Sequence, residues 1–222
     1  MKKRLPALVL LLVLVLSLTA CGGDTKAKKY TEYVEAVMNC SYKGQFDAYT
    51  KSRGLKDDNK EAKEVYESTA EFYAYQLMNY TEVEYESVDD SVVEAFIELA
   101  KKALQKTRYQ VEKAEKAGKV YHVTVKIDPI DFNDILIEPA KGVAAVYNEG
   151  VDALSEDASE EQLLALENEY GLNMAAALMP VVDQIGYKET KTRIVEIQED
   201  KDAFGLSDED WEEIDNIVVD MD

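Results

Sequence analysis

The chain has 222 residues, 46% of them hydrophobic, and 45 acidic against 25 basic side chains give a formal charge of −20. With 14 tyrosines and five phenylalanines it is too apolar and aromatic for a disordered polymer. Its acidity excludes a nucleic-acid interface, whose phosphates need a basic footprint, and disfavours anionic lipid as a docking surface for the body of the chain.

Met1-Lys2-Lys3-Arg4 precedes the unbroken apolar run Ala7 to Leu16, and Ser17-Leu18-Thr19-Ala20-Cys21 follows. A charged start, an apolar stretch and a small-residue junction form an export signal, and the run falls short of the roughly 20 residues that span a bilayer. Leu18-Thr19-Ala20-Cys21 resembles the lipobox of bacterial lipoproteins. That resemblance implies cleavage before Cys21, palmitate-type acyl chains on the Cys21 thiol, and a protein held by lipid on the outer face of the cell membrane. Two chains anchor stably where one holds marginally. The expected division is 1–20 signal peptide, 21–29 polar tether and 30–222 a single α+β domain. Three basic residues lie in 1–20, so the remaining 202 residues carry 22 basic and 45 acidic side chains and a formal charge of −23.

Tyr30, Tyr33, Val34, Val37 and Met38 repeat at helical spacing and predict a helix over about 26–42. Lys43-Gly44 breaks it, Phe46 and Tyr49 suggest a short helical turn, and 53–58 reads as a polar loop. A second long helix is expected over about 59–77, with Ala62, Val65, Tyr66, Thr69, Tyr73 and Leu77 on one side. Asp90-Ser91 opens a third, whose stripe is Val93, Phe96, Ile97, Ala100 and Leu104.

At Thr107 the period changes to two. Tyr109–Val111 and Val120–Ile127 predict a β-hairpin turned by Lys116-Ala117-Gly118-Lys119. Tyr121, Val123, Val125 and Ile127 share its buried face, which leaves His122 toward solvent, and Pro129 ends the strand.

Pro139 suits the first turn of a helix running to about Leu154 through Val143, Val146, Tyr147 and Val151. Ser159-Glu160-Glu161-Gln162 has the form of a capping box opening the next, with a kink expected at Gly171 and a restart near Pro180. Residues 190–198 predict a third strand. Ser207 caps a terminal helix that buries Trp211, Ile214, Ile217 and Val218. Helices before, between and after a few antiparallel strands predict an α+β fold, its N-terminal half helical and its small sheet C-terminal, covered on one face.

Catalytic constellations are scarce. The single histidine faces solvent, so a nucleophile–histidine pair is not expected, and Cys40 beside the first helical stripe reads as a buried structural thiol with no disulfide partner. One histidine and two cysteines are too few for zinc. The segment 200–208 places Asp200, Asp202 and Asp208 at calcium-loop positions, weak metal candidates, but Phe204 and Trp211 stand where oxygen ligands belong. No phosphate-binding loop is present, so no cofactor and no metal are expected. Tyrosine is the unusual feature. Most should be buried with a wet hydroxyl, while Tyr75 and Tyr85, off the stripes, mark where a binding surface would lie.

The block Tyr33 to Gly44, together with 101–127 and the acidic segment around Trp211, resembles small uncharacterised lipoproteins of Gram-positive bacteria. The resemblance implies surface location and an α+β domain of unknown function, and it carries over no catalytic residue. The leading expectation is a non-enzymatic binding or interaction module. A carboxylate-dependent enzyme and a solute-binding lipoprotein that serves a transporter are the alternatives.

Overall fold

In a computed structural model the residues described are 25–55, 59–155, 157–200 and 203–220. The first helix, α1 (Thr25–Lys43), is buried around most of its circumference because it lies between a helical layer and a sheet. Toward the helices, Cys40 Sγ donates to the Ala62 carbonyl at 3.3 Å, while toward the sheet Tyr30 meets Tyr121 edge-on at 4.9 Å. The helix starts at Thr25, with Ala27 buried.

Helices α2 (Phe46–Arg53), α3 (Lys60–Tyr80) and α4 (Asp90–Leu104) complete the helical layer. Gly54, at φ +67°, ends α2 by bonding back to the Thr50 and Lys51 carbonyls. The buried stripe of α4 runs through Val92, Phe96, Leu99, Ala100, Ala103 and Leu104, rotated from the expected face by about one position. Val93 and Ile97 are displaced to half-buried flanks because α4 packs on α3 and also on a later helix.

The sheet is antiparallel. Strand β1 (Arg108–Val111) and the short β2 (Glu115–Ala117) pair in succession with one edge of β3 (Val120–Asp128). The turn is therefore Gly118-Lys119 alone, with Gly118 at φ +66°. Val111 faces Val125 but Glu115 faces His122, so one extra residue forms a β-bulge. The bulge turns Ala114 into the core, where its N–H donates to Thr31 Oγ1 at 2.8 Å.

The other edge of β3 pairs with β6 (Lys191–Asp200), and β6 pairs with β7 (Ala203–Gly205). Tyr121, Val123, Val125, Ile127, Val195 and Ile197 are buried, while His122 and Ile194 lie on the open face. Two-residue strands β4 (Ile130–Asp131), β5 (Gly186–Tyr187) and β8 (Val219–Asp220) form a second small sheet, with β4 and β8 parallel.

Helix α5 (Asn133–Ala153) begins six residues before Pro139, so that proline is internal rather than in the first turn. An internal proline forgoes one backbone bond and costs roughly 3 kcal/mol. Burial of Phe132 and Leu136 at the start of the helix offsets it. Helix α6 (Glu160–Leu178) opens with both bonds of the Ser159–Gln162 capping box and continues through Gly171 as one helix. A Cβ on Gly171 would stand 2.4 Å from Val92 Cγ1, so glycine is there to let α6 approach α4. The main partner of α5 is α6, and on the far half of α5 Val146 is 62% exposed and Val151 39% exposed instead of buried. A 3-10 turn (Val181–Gln184) follows Pro180, and α7 (Asp208–Val218) is capped by Ser207, whose Oγ accepts from the Asp210 N–H at 3.0 Å.

Candidate functional site

The end of α3 shapes one open feature of the helical layer. The Val83 N–H donates to the Met78 carbonyl at 2.8 Å and the Glu82 N–H to Asn79 at 3.2 Å, the bond pattern of a Schellman motif. Its left-handed position, usually glycine, is occupied by Glu82 at φ +57°. Val83 and Met78 are buried beneath, so the Glu82 carboxylate is held at the rim of a fixed turn.

The next residues run to the start of α4, where Asn168 of α6 locks them: its Oδ1 accepts from the Asp89 N–H at 2.8 Å and its Nδ2 donates to Asp89 Oδ2 at 2.9 Å. Between the end of α3 and this segment lies a concavity of about 700 Å³, a size typical of small-molecule sites. Tyr75 and Tyr85 form one wall, their rings 4.6 Å apart at 31°. The Tyr75 hydroxyl donates to Glu71 at 2.7 Å, and the Tyr85 hydroxyl donates to Glu86 at 3.2 Å. Tyr85 is 48% exposed. The two tyrosines that lie off the helical stripes thus meet at one site.

A hollow of about 180 Å³ continues across Glu82, Val83 and Glu84 toward α5 and α6. Its far wall is a second tyrosine pair, Tyr147 and Tyr170, with ring centroids 4.6 Å apart at 38°. The Tyr170 hydroxyl donates to the Thr81 carbonyl at 2.7 Å, which ties α6 to the end of α3. Burial, then the carboxylates of Glu167 and Glu84, raises the Tyr147 phenol. Burial and Glu82 do the same to Tyr170, and the Glu71 hydrogen bond chiefly raises Tyr75. All three phenols stay protonated near neutrality.

The charge of this region is one-sided. No lysine or arginine occurs between Lys63 and Lys101 or between Lys141 and Lys188, the stretches that build the double hollow. Glu82, Glu84, Glu86 and Glu167 line it, and none of them enters an ion pair among the described residues. These two base-free stretches are a signal present in the sequence, though recognising them as one surface requires knowing that α3, α4, α5 and α6 converge. Glu82 in a glycine position carried no such signal.

The other predicted residues lie apart. Cys21 and Asp202 fall outside the described residues, as does the side chain of Asp200, and Asp208 sits exposed in the first turn of α7. The segment is built as a strand end, a return strand and a capped helix. Cys40 is fully buried, and burial pushes its thiol up to about 11. His122 Nε2 is 3.8 Å from Glu196 on the open sheet face, away from the hollows.

Sequence reasoning missed the polar clasp of α7. Asp215 Oδ1 accepts from the Tyr42 hydroxyl at 2.5 Å and from Tyr73 at 3.3 Å, and burial lifts its carboxyl to about 6 against the pull of those bonds. Asp210, 8% exposed, accepts from Ser207, the Glu196 N–H and Arg193. Both carboxylates face neighbouring chain segments and bind the C-terminus to the core.

No helix among the described residues is long and apolar enough to cross a membrane. Sequence comparison matches no family model and no curated protein. Among solved structures, the chain is similar to a "putative lipoprotein", YcdA of Bacillus subtilis, with a TM-score of 0.54 at 15% identity. The similarity covers 89% of this chain and 60% of that one, so the chain spans about three fifths of that structure, and at this identity the likeness is one of fold.

Proposed function

We propose that the protein is an extracytoplasmic lipoprotein, held at the outer face of the cell membrane by acyl chains on Cys21, that works as a non-enzymatic binding module. Residues 1–20 are the export signal and 21–29 the tether. The lipobox-like Leu18-Thr19-Ala20-Cys21 supports the anchoring, and the fold shared with a "putative lipoprotein" is in keeping with it.

One observation carries the binding reading: Tyr75 and Tyr85 come together on the wall of an open concavity ringed by carboxylates without ion-pair partners among the described residues. Tyrosine offers a broad contact face with a polar tip and little conformational freedom to lose. Catalysis has less support. Cys40 is buried on the Ala62 carbonyl, and the His122 ring lies on the sheet rather than in the hollow.

The test places a photo-crosslinking amino acid at Tyr85 in intact cells and, as a control, at exposed Lys119 in the hairpin turn. Discrete products at position 85 and none at 119 are expected. Equal patterns at both positions would remove the binding site. In the same cells Cys21→Ser should abolish incorporation of labelled palmitate and leave the 1–20 segment uncleaved.

A further inference from the structure

We infer that the double hollow binds an aliphatic chain carrying two or more ammonium groups, such as a linear polyamine or consecutive lysine side chains. This rests on the hollow being the binding site and specifies its ligand.

The protein shows elsewhere what its aromatic faces attract. Lys29 Nζ sits 4.2 Å from the Phe204 ring centre, Lys43 Nζ 4.4 Å from Tyr109, and the Arg108 guanidinium 3.8 Å from Tyr187. Cations are drawn to ring faces by the ring quadrupole, more strongly where nearby carboxylates add to the field. The pairs Tyr75–Tyr85 and Tyr147–Tyr170 have no such internal cation among the described residues, and the stretches building them contain no basic residue. Their acids and ring faces are complementary to a cation supplied from outside.

The arrangement also selects the kind of cation. Among the described residues no three carboxylate, histidine or cysteine side chains converge as a metal ion requires. Instead the carboxylates are divided between two hollows that share Glu82, Val83 and Glu84, each with a tyrosine pair in its lining. Acidic, ring-lined hollows set apart in this way suit ammonium groups separated by methylenes.

Glu82 allows binding to be tested apart from folding. A glutamate in the left-handed position of a Schellman motif is strained where glycine would not be. Glu82→Gly should therefore melt no lower than the parent while binding more weakly, an outcome that a merely structural Glu82 would not give.

The experiment is calorimetric titration of the full-length protein, purified from membranes, with spermidine, tetralysine, 1,8-octanediol and magnesium chloride at constant ionic strength. Saturable binding of spermidine or tetralysine is expected, with none of the diol, and the stronger of the two amines identifies the source. Tyr85→Ala and Glu82→Gly should each weaken it by roughly tenfold, the scale of a partly desolvated cation–π or charge contact. Binding unchanged in both variants, or matched by magnesium, would mean unspecific attraction to an acidic surface and would overturn the inference. Absence of amine binding while crosslinks persist at position 85 would sink the ligand class and leave the binding site standing. Absence of both would sink the two readings together.

Discussion

Substituting Asp215→Asn isolates one buried charge and makes its cost measurable. The carboxyl is lifted from 3.8 to about 6, chiefly by burial, although Tyr42 and Tyr73 both donate to it. A folded-state value above the unfolded one means that the folded protein holds the proton more tightly. Below about pH 3 both states are protonated and the charge costs nothing. Between about pH 4 and 6 the unfolded chain ionises first, so stability falls as pH rises, and above about pH 7 the cost is constant. The gap from 3.8 to about 6 corresponds to roughly 3 kcal/mol. An asparagine side chain at this position would keep an acceptor for Tyr42 and cannot ionise, so the stability of D215N relative to the parent should rise by up to roughly 3 kcal/mol between about pH 3.5 and 7. Urea unfolding at a series of pH values reads this directly, with Trp211, the only tryptophan, as reporter because it stacks on Tyr42 at 5.7 Å. Other carboxyls cancel in the difference. A difference that is flat with pH, or that falls as pH rises, would show that the two phenols outweigh burial and would refute the reasoning.

Cys40 should resist alkylation at pH 8 in the folded protein, since burial raises its thiol to about 11, and should react fully in denaturant. Thiol counting then checks the anchor as well: one reactive thiol is expected in protein purified from membranes and two in unprocessed precursor. Gly171→Ala should destabilise by roughly 1–3 kcal/mol, measured by urea unfolding, because the new methyl meets Val92 Cγ1. Adding Val92→Ala should recover part of that loss, and full additivity of the two substitutions would argue against the close contact.

Periodicity exposed the long helices and the central hairpin because each has one dominant partner that imposes its repeat. Tyr30, Val34 and Met38 keep a helical rhythm against the core, and Tyr121 to Ile127 alternate against it. The elements that sequence misread have partners distant in the chain. Strands β4, β5 and β8 are two residues each, too short for any period, and exist because segments near 130, 186 and 219 meet. The expected stripe of α5 is exposed in its far half, since an apolar face shows that a helix wants a partner but not how broad that partner is. Pro139 and Gly171 were read by local propensity, which burial of Leu136 and the approach of Val92 override.

The candidate site was legible in the same partial way. Tyr75 and Tyr85 stand off the buried stripes of their segments, Tyr75 flanking the core and Tyr85 half exposed, which leaves ring surface for a partner. Their pairing needed the tight turn at Glu82, which no pattern announces. Net acidity pointed in a general direction, but the informative quantity is where the bases are missing. Lys101, Lys102 and Lys106 engage Glu67, Glu98 and Asp183 at the opposite end of α4 and beyond it, while the end near Asp89 and Asp90 has none. An antiparallel helix pair with bases at one end only leaves the carboxylates at its other end without ion pairs among the described residues. Acidity spread evenly over a surface serves solubility, but acidity gathered around tyrosine rings that meet no internal cation is a field with a direction, and the ligand it favours is a cation.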